Sequence, residues 1–193
     1  MALSTVDASP PADPVVALIQ EGRHREALAA CVHHHGESLG RFCMALLGDQ
    51  AEAEEVTQET LIAAHDGFAS FRGEGALRSW LFGIARRQCA RRMAKRTRRE
   101  QKLQLAFDAS RDAETPADVL VRRQRAAGVR QVLEELKPSE REALLLRYEA
   151  QLSYREIAEV TGQNDVTVRK RTSRALARFR SLYSRAFSTG DDR

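Results

Sequence analysis

Large aromatic anchors are scarce in this chain of 193 residues: Phe, Tyr and Trp together make up 6% of it, and there is a single Trp. Cysteine is scarce too. Cys31, Cys43 and Cys89 are an odd number at irregular spacing, which excludes a disulfide framework and points to a reducing compartment. No run approaches the roughly 20 apolar residues that a helix needs to cross a bilayer, so no membrane insertion is expected. The opening MALSTVDASP carries an acid and no base, so the charged start of a secretory signal is absent as well. What remains is a chain that is 42% hydrophobic and 30% charged, enough to bury a core and typical of polar, helix-rich proteins.

The 31 Lys and Arg against 27 Asp and Glu leave a net charge of only +4, but the signs are segregated. Asp49, Glu52, Glu54, Glu55 and Glu59 form an acidic stretch without a base. From Arg86 to Lys102 nine bases face Glu100 alone, and from Arg169 to Arg185 the bases have no acid among them. Solvated helix faces ordinarily mix both signs. Two separate single-sign basic stretches suggest two contacts with a polyanion.

The periodicity is helical throughout. Residues 1–13 read as a disordered tail. Asp49 followed by Glu52 predicts a capped helix reaching about Phe68, with Glu52, Glu55, Gln58 and Glu59 on one face. Phe71-Arg72-Gly73-Glu74-Gly75 is a break, and a long helix follows with the apolar stripe Leu77, Leu81, Ile84, Ala85, Cys89 and Met93. The pattern lapses over residues 103–115 and resumes at Thr115-Pro116, which predicts a linker between two domains. In the second half Val129, Val132, Leu133 and Leu136 share a stripe. Lys137-Pro138-Ser139 begins another helix, and Ser153-Tyr154-Arg155-Glu156 is a second capping box. No strand pattern occurs. The expected fold is all-α: two small helical domains, residues 14–102 and 116–187, joined by a flexible linker, with a tail at 188–193.

A short capped helix, the turn Thr161-Gly162 and a longer basic helix make a helix-turn-helix, whose second helix enters the DNA major groove. Along that second helix Val168, Thr172, Ala175, Leu176 and Phe179 fall within about 100° of arc and predict a buried stripe. Lys170, Ser173, Arg174 and Ala177 stand opposite, with Arg169 at the edge. Long donors with small residues between them suit base-edge readout. Arg178, Arg180 and Arg185 suit phosphates, which fix register without reading sequence.

Both halves together resemble the extracytoplasmic-function (ECF) type of bacterial sigma factor. The resemblance rests on Leu47-Gly48-Asp49, Glu54 to Thr60, Phe71 to Glu74 and Trp80 to Arg86 in the first half. In the second it rests on Leu152 to Ala158, Thr167 to Arg171 and Arg174-Ala175. It implies that Asp49, Glu52, Glu55, Gln58 and Glu59 dock on the β′ clamp of core RNA polymerase, the β flap being a further contact. It implies that Phe71, Arg72, Gly73, Glu74, Trp80, Arg86, Arg87 and Arg91 open and read the −10 element, with a base extruded into a pocket made partly by the loop. Arg147, Arg169, Lys170, Ser173 and Arg174 would read the −35 element. Promoter DNA and core polymerase are the implied partners, an anti-sigma factor is a regulator such proteins often have, and the compartment is the cytoplasm. Leu61 replaces a usual aromatic on the docking helix; Arg87 replaces a frequent Asn, Gln163 an apolar turn residue and Val166 a frequent Gly, so no promoter sequence carries over.

Other readings are weaker. Trp80 fits core packing at least as well as base contact. Cys31 and His33-His34-His35 include an i,i+4 pair, yet three consecutive His point in three directions, so neither a metal nor any other cofactor is expected. No phosphate loop, nucleophile elbow or specific carboxylate pair is present, and no enzyme is expected. A stand-alone helix-turn-helix regulator would explain the basic helices but not the acidic one.

Overall fold

The computed structural model describes residues 13–73, 76–104 and 128–187, and every regular element among them is helical. The expected tails lie outside the described residues apart from Asp13, and so does the expected linker apart from its first two residues.

Helix α1 (Pro14–Gln20) is started by Asp13, whose carboxylate accepts from Val15 N at 3.0 Å, with Pro14 in the first turn where its missing N–H costs nothing. Helix α2 (His24–Leu47) stops at Gly48, which takes φ 72°, a left-handed geometry only glycine adopts cheaply. Asp49 then caps α3 (Gln50–Gly67) through Glu52 N at 2.9 Å, as the spacing predicts. A 3₁₀ turn (Phe68–Ser70) leads to the loop, and α4 spans Leu77–Gln104, running on through the first two residues of the stretch read as linker.

In the second half α5 is described over 128–134, followed by α6 (Pro138–Leu144), a π-helical turn (Leu145–Glu149), α7 (Tyr154–Thr161) and α8 (Asp165–Phe187). Arg141 donates to the carbonyls of Leu133 and Glu134, both at 2.8 Å, closing the end of α5. Both bonds of the predicted capping box form: Glu156 N to Ser153 Oγ at 3.2 Å, and Ser153 N to the Glu156 carboxylate at 2.7 Å.

The predicted stripe of α4 is buried, Met93 partly so, but Phe82 and Gly83 are buried beside it. The cause is a second partner. Phe82 meets Phe42 of α2 edge-on at 5.2 Å, and both belong to one apolar cluster with Leu146, Leu152, Ile157, Val168 and Ala175 of the other half. The two helical domains, expected to be joined by a linker, thus also meet in one shared apolar core. Burying one large side chain contributes about 1.5–3 kcal/mol, and a small domain has few such residues to spare for solvent. A separate cluster of Val15, Ile19, Phe68, Leu77 and Leu81 binds α1 to the first half.

Candidate nucleic-acid interface

Three surfaces gather the residues singled out by the sequence. The first is the outer face of α3. Glu55, Gln58 and Glu59 are exposed, while Glu52 and Asp49 are half-buried. The face is less negative than its composition suggests. Arg92 of α4 donates to Glu55 at 2.5 Å and to Glu59 at 3.2 Å, and Arg96 lies 3.6 Å from Glu52. The bond to Glu55 is the main influence on Arg92 and holds its guanidinium above the ordinary range against the opposing effect of burial. Among these charges stands Ile62, 61% exposed on the next turn after Gln58, an apolar side chain that nothing in the sequence reading marks.

The second surface is the loop before α4. Phe71 is half-buried with its ring 5.1 Å from that of Trp80, which lies 6.1 Å from Phe68. A Cβ on Gly67 would sit 2.9 Å from the indole, so the glycine permits Trp80 to lie across the end of α3. Trp80 thus packs and also faces a cavity of about 400 Å³ with Phe71, Arg72, Gly73 and Arg87. Two further walls, Glu159 and Val160, come from α7 of the other half. Arg86 does not face this cavity's mouth; its Nε donates to Glu142 at 2.7 Å. Arg91 is exposed, and Glu74 lies outside the described residues.

The third surface is the helix-turn-helix. Val168, Thr172 and Ala175 are buried, Leu176 and Phe179 partly so, and Arg169, Lys170, Ser173 and Arg174 are exposed, which is the predicted division of α8. Gly162 turns the chain with φ 66°. Gln163 is polar for a reason: it accepts from Arg171 at 2.6 Å and ties the turn to α8. Asn164 caps α8 through Val166 N at 2.8 Å. Arg147 donates to Leu152 O at 2.8 Å and lies over the Tyr154 ring.

The two halves meet through charge as well as apolar contact. Arg41 donates to Glu149 at 2.8 Å, and Arg78 to the carbonyls of Ala150 at 2.5 Å and Glu149 at 3.3 Å. The face of α8 that bears Arg169, Lys170, Ser173 and Arg174 stays open to solvent in this arrangement, whereas the loop cavity is walled by both halves. Along the seam runs an apolar cleft of about 590 Å³, with Met44, Leu133, Leu145, Tyr148 and Phe179 in its walls. His33 and His34 are exposed and His35 is buried against Asp13 at 3.3 Å; among the described residues no three metal-ligating side chains converge. No described helix is long and apolar enough to cross a membrane.

Comparison with known proteins gives a consistent result. Residues 31–99 match the family model of sigma-70 region 2, and residues 127–179 that of sigma-70, region 4. The RNA polymerase sigma-H factor of Pseudomonas aeruginosa is 30% identical over 170 residues, 83% of this chain and 88% of that protein. A probable RNA polymerase sigma-C factor of Mycobacterium bovis is 32% identical over 154 residues, 77% of this chain and 79% of its own. Among solved structures, the sigma factor RpoE in complex with the anti-sigma factor NepR, from Bartonella quintana, superposes with a TM-score of 0.65 at 27% identity, covering 84% of this chain and 96% of that one.

Proposed function

The chain belongs to the ECF family of RNA polymerase sigma factors and serves as a promoter-specificity subunit, and from that premise we propose how its surfaces divide the work. Residues 14–102 act as the polymerase-binding and −10-binding domain, and residues 116–187 as the −35-binding domain.

The outer face of α3 docks on the polymerase clamp. Gln58 and Ile62 form its uncharged centre, and Asp49, Glu52, Glu55 and Glu59 form an acidic rim suited to a basic partner. The cavity beside Phe71 and Trp80 receives a base from the melted −10 strand. Unstacking that base costs a few kcal/mol, which aromatic and Arg contacts offset. Arg72 and Gly73 shape the loop, Glu74 is assigned to the same −10 contact, and Arg86, Arg87 and Arg91 follow the strand along α4. The exposed face of α8, with Arg147 beside it, reads the −35 duplex.

The observation that carries this reading is the side-chain division of α8: a buried apolar stripe and, opposite it, Lys170, Ser173 and Arg174 free to enter a groove. The closed arrangement adds a condition. With Glu159 and Val160 walling the cavity and Glu142 holding Arg86, the halves separate before −10 DNA is engaged. A factor of this kind works where the polymerase is, in the cytoplasm. The likeness to RpoE, captured with an anti-sigma factor, supports regulation by such a protein, and the apolar cleft along the seam is suited to an amphipathic helix from it.

Run-off transcription with purified core polymerase and genomic promoter fragments tests the reading. A new promoter-dependent transcript is expected. Tight duplex binding by the chain alone, without a transcript, would overturn it in favour of a stand-alone regulator.

A further inference from the structure

Three elements of the second half converge on one ring. Tyr154 is the first residue of α7, and the reciprocal capping bonds between Ser153 and Glu156 fix the backbone on which it stands. Its ring is half-buried. The guanidinium carbon of Arg147, from the π-helical turn, lies 5.0 Å from the ring centre, and that of Arg169, from the first turns of α8, also lies at 5.0 Å. Each guanidinium has a further tether: Arg147 to Leu152 O at 2.8 Å, and Arg169 to Asp165 at 3.3 Å.

An exposed arginine samples many rotamers and loses that freedom on binding. Contact with an aromatic face and a second hydrogen bond restricts it beforehand. Gathering two like charges around one ring also leaves repulsion that an arriving polyanion relieves.

We infer that Tyr154 is a positioning residue for −35 recognition, holding Arg147 and Arg169 as one preset pair rather than two independent contacts. This rests on the assignment of α8 to the −35 duplex. The aromatic face does the work, so the hydroxyl is dispensable and the ring is not.

The test uses holoenzyme reconstituted from core polymerase and the full chain. It compares affinity for the promoter found by run-off transcription with affinity for the same promoter carrying a scrambled −35 element. If the unsubstituted chain shows no preference between the two DNAs, the −35 assignment itself fails. Given a preference, Tyr154→Met, which fills the space without a ring, lowers it about five- to tenfold, while Tyr154→Phe stays within about twofold. Thermal melts of both variants report whether α7 is intact, and Tyr154→Trp, which keeps a ring, replaces Phe as the comparison if Phe melts early. Arg147→Ala has a smaller effect in the Tyr154→Met background than alone. Three results would overturn the inference: equal loss on both DNAs, Phe failing as Met does, or strictly additive effects of Tyr154 and Arg147.

Discussion

Arg86 Nε and Glu142 Oε1 lie 2.7 Å apart across the seam, with the two side chains only 27% and 21% exposed. The bond joins α4, proposed above to carry the −10 surface, to α6 of the other half. A hydrogen bond between charged groups contributes about 1.5–3 kcal/mol when shielded from water. Glu142→Lys replaces attraction by repulsion and is expected to open the molecule. The radius of gyration from small-angle scattering should rise, and affinity for single-stranded −10 oligonucleotide should increase. An unchanged radius in this variant would show that the apolar seam alone keeps the halves together.

Lys170→Ala and Arg174→Ala are each expected to cost about 1–3 kcal/mol on the matched −35 element and much less on scrambled DNA. Arg178→Ala, further along α8, should weaken binding to both DNAs alike and reduce the salt slope by about 1. Measuring affinity against salt concentration for the three variants checks both statements. Equal loss on every sequence for Lys170 and Arg174 would reduce them to phosphate contacts.

Ile62 is the apolar centre of a charged face and is 61% exposed, so its removal should not disturb the fold. Ile62→Ser is expected to weaken binding to core polymerase by about 2 kcal/mol, the size of an interface hot spot, with no change in melting temperature. A fluorescence titration of labelled chain with core enzyme measures it. Affinity within error of the unsubstituted chain would move the docking centre elsewhere on α3.

His35 is buried, and burial is the main cause that pushes its pKa below the ordinary histidine value; Asp13 opposes the shift, and Arg78 and His34 reinforce it. The unfolded chain therefore takes up a proton at a pH where the folded chain does not. Stability contributed by neutral His35 is present above the unfolded pKa of about 6.5 and is lost as pH falls from there towards the folded value. Melting temperature should drop between neutral pH and the acid side of that window, and His35→Gln should flatten the drop. An equally steep profile in the variant would assign it to other groups.

Local chemistry made much of this molecule legible. Asp49 before Glu52 and Ser153 before Glu156 announce helix starts because a cap is a bond between near neighbours. The period of Val168, Thr172, Ala175, Leu176 and Phe179 reveals which side of α8 is buried and which is left to solvent, because one helix's geometry suffices to sort its faces. Arg92 was legible only as one more base in a run. Its position over Glu55 and Glu59 depends on how α3 and α4 lie together.

The amino-acid order alone determined the all-helical architecture, the turn at Gly162 and the separation of cationic from acidic surface, since each arises from residues within a few positions of one another. Tertiary structure alone decided that Phe82 meets Phe42 and shares a core with Leu146 and Leu152, that Arg86 finds Glu142, and that Arg147 and Arg169 reach one tyrosine. Those pairings join side chains from different helices, so no periodicity within a single helix encodes them.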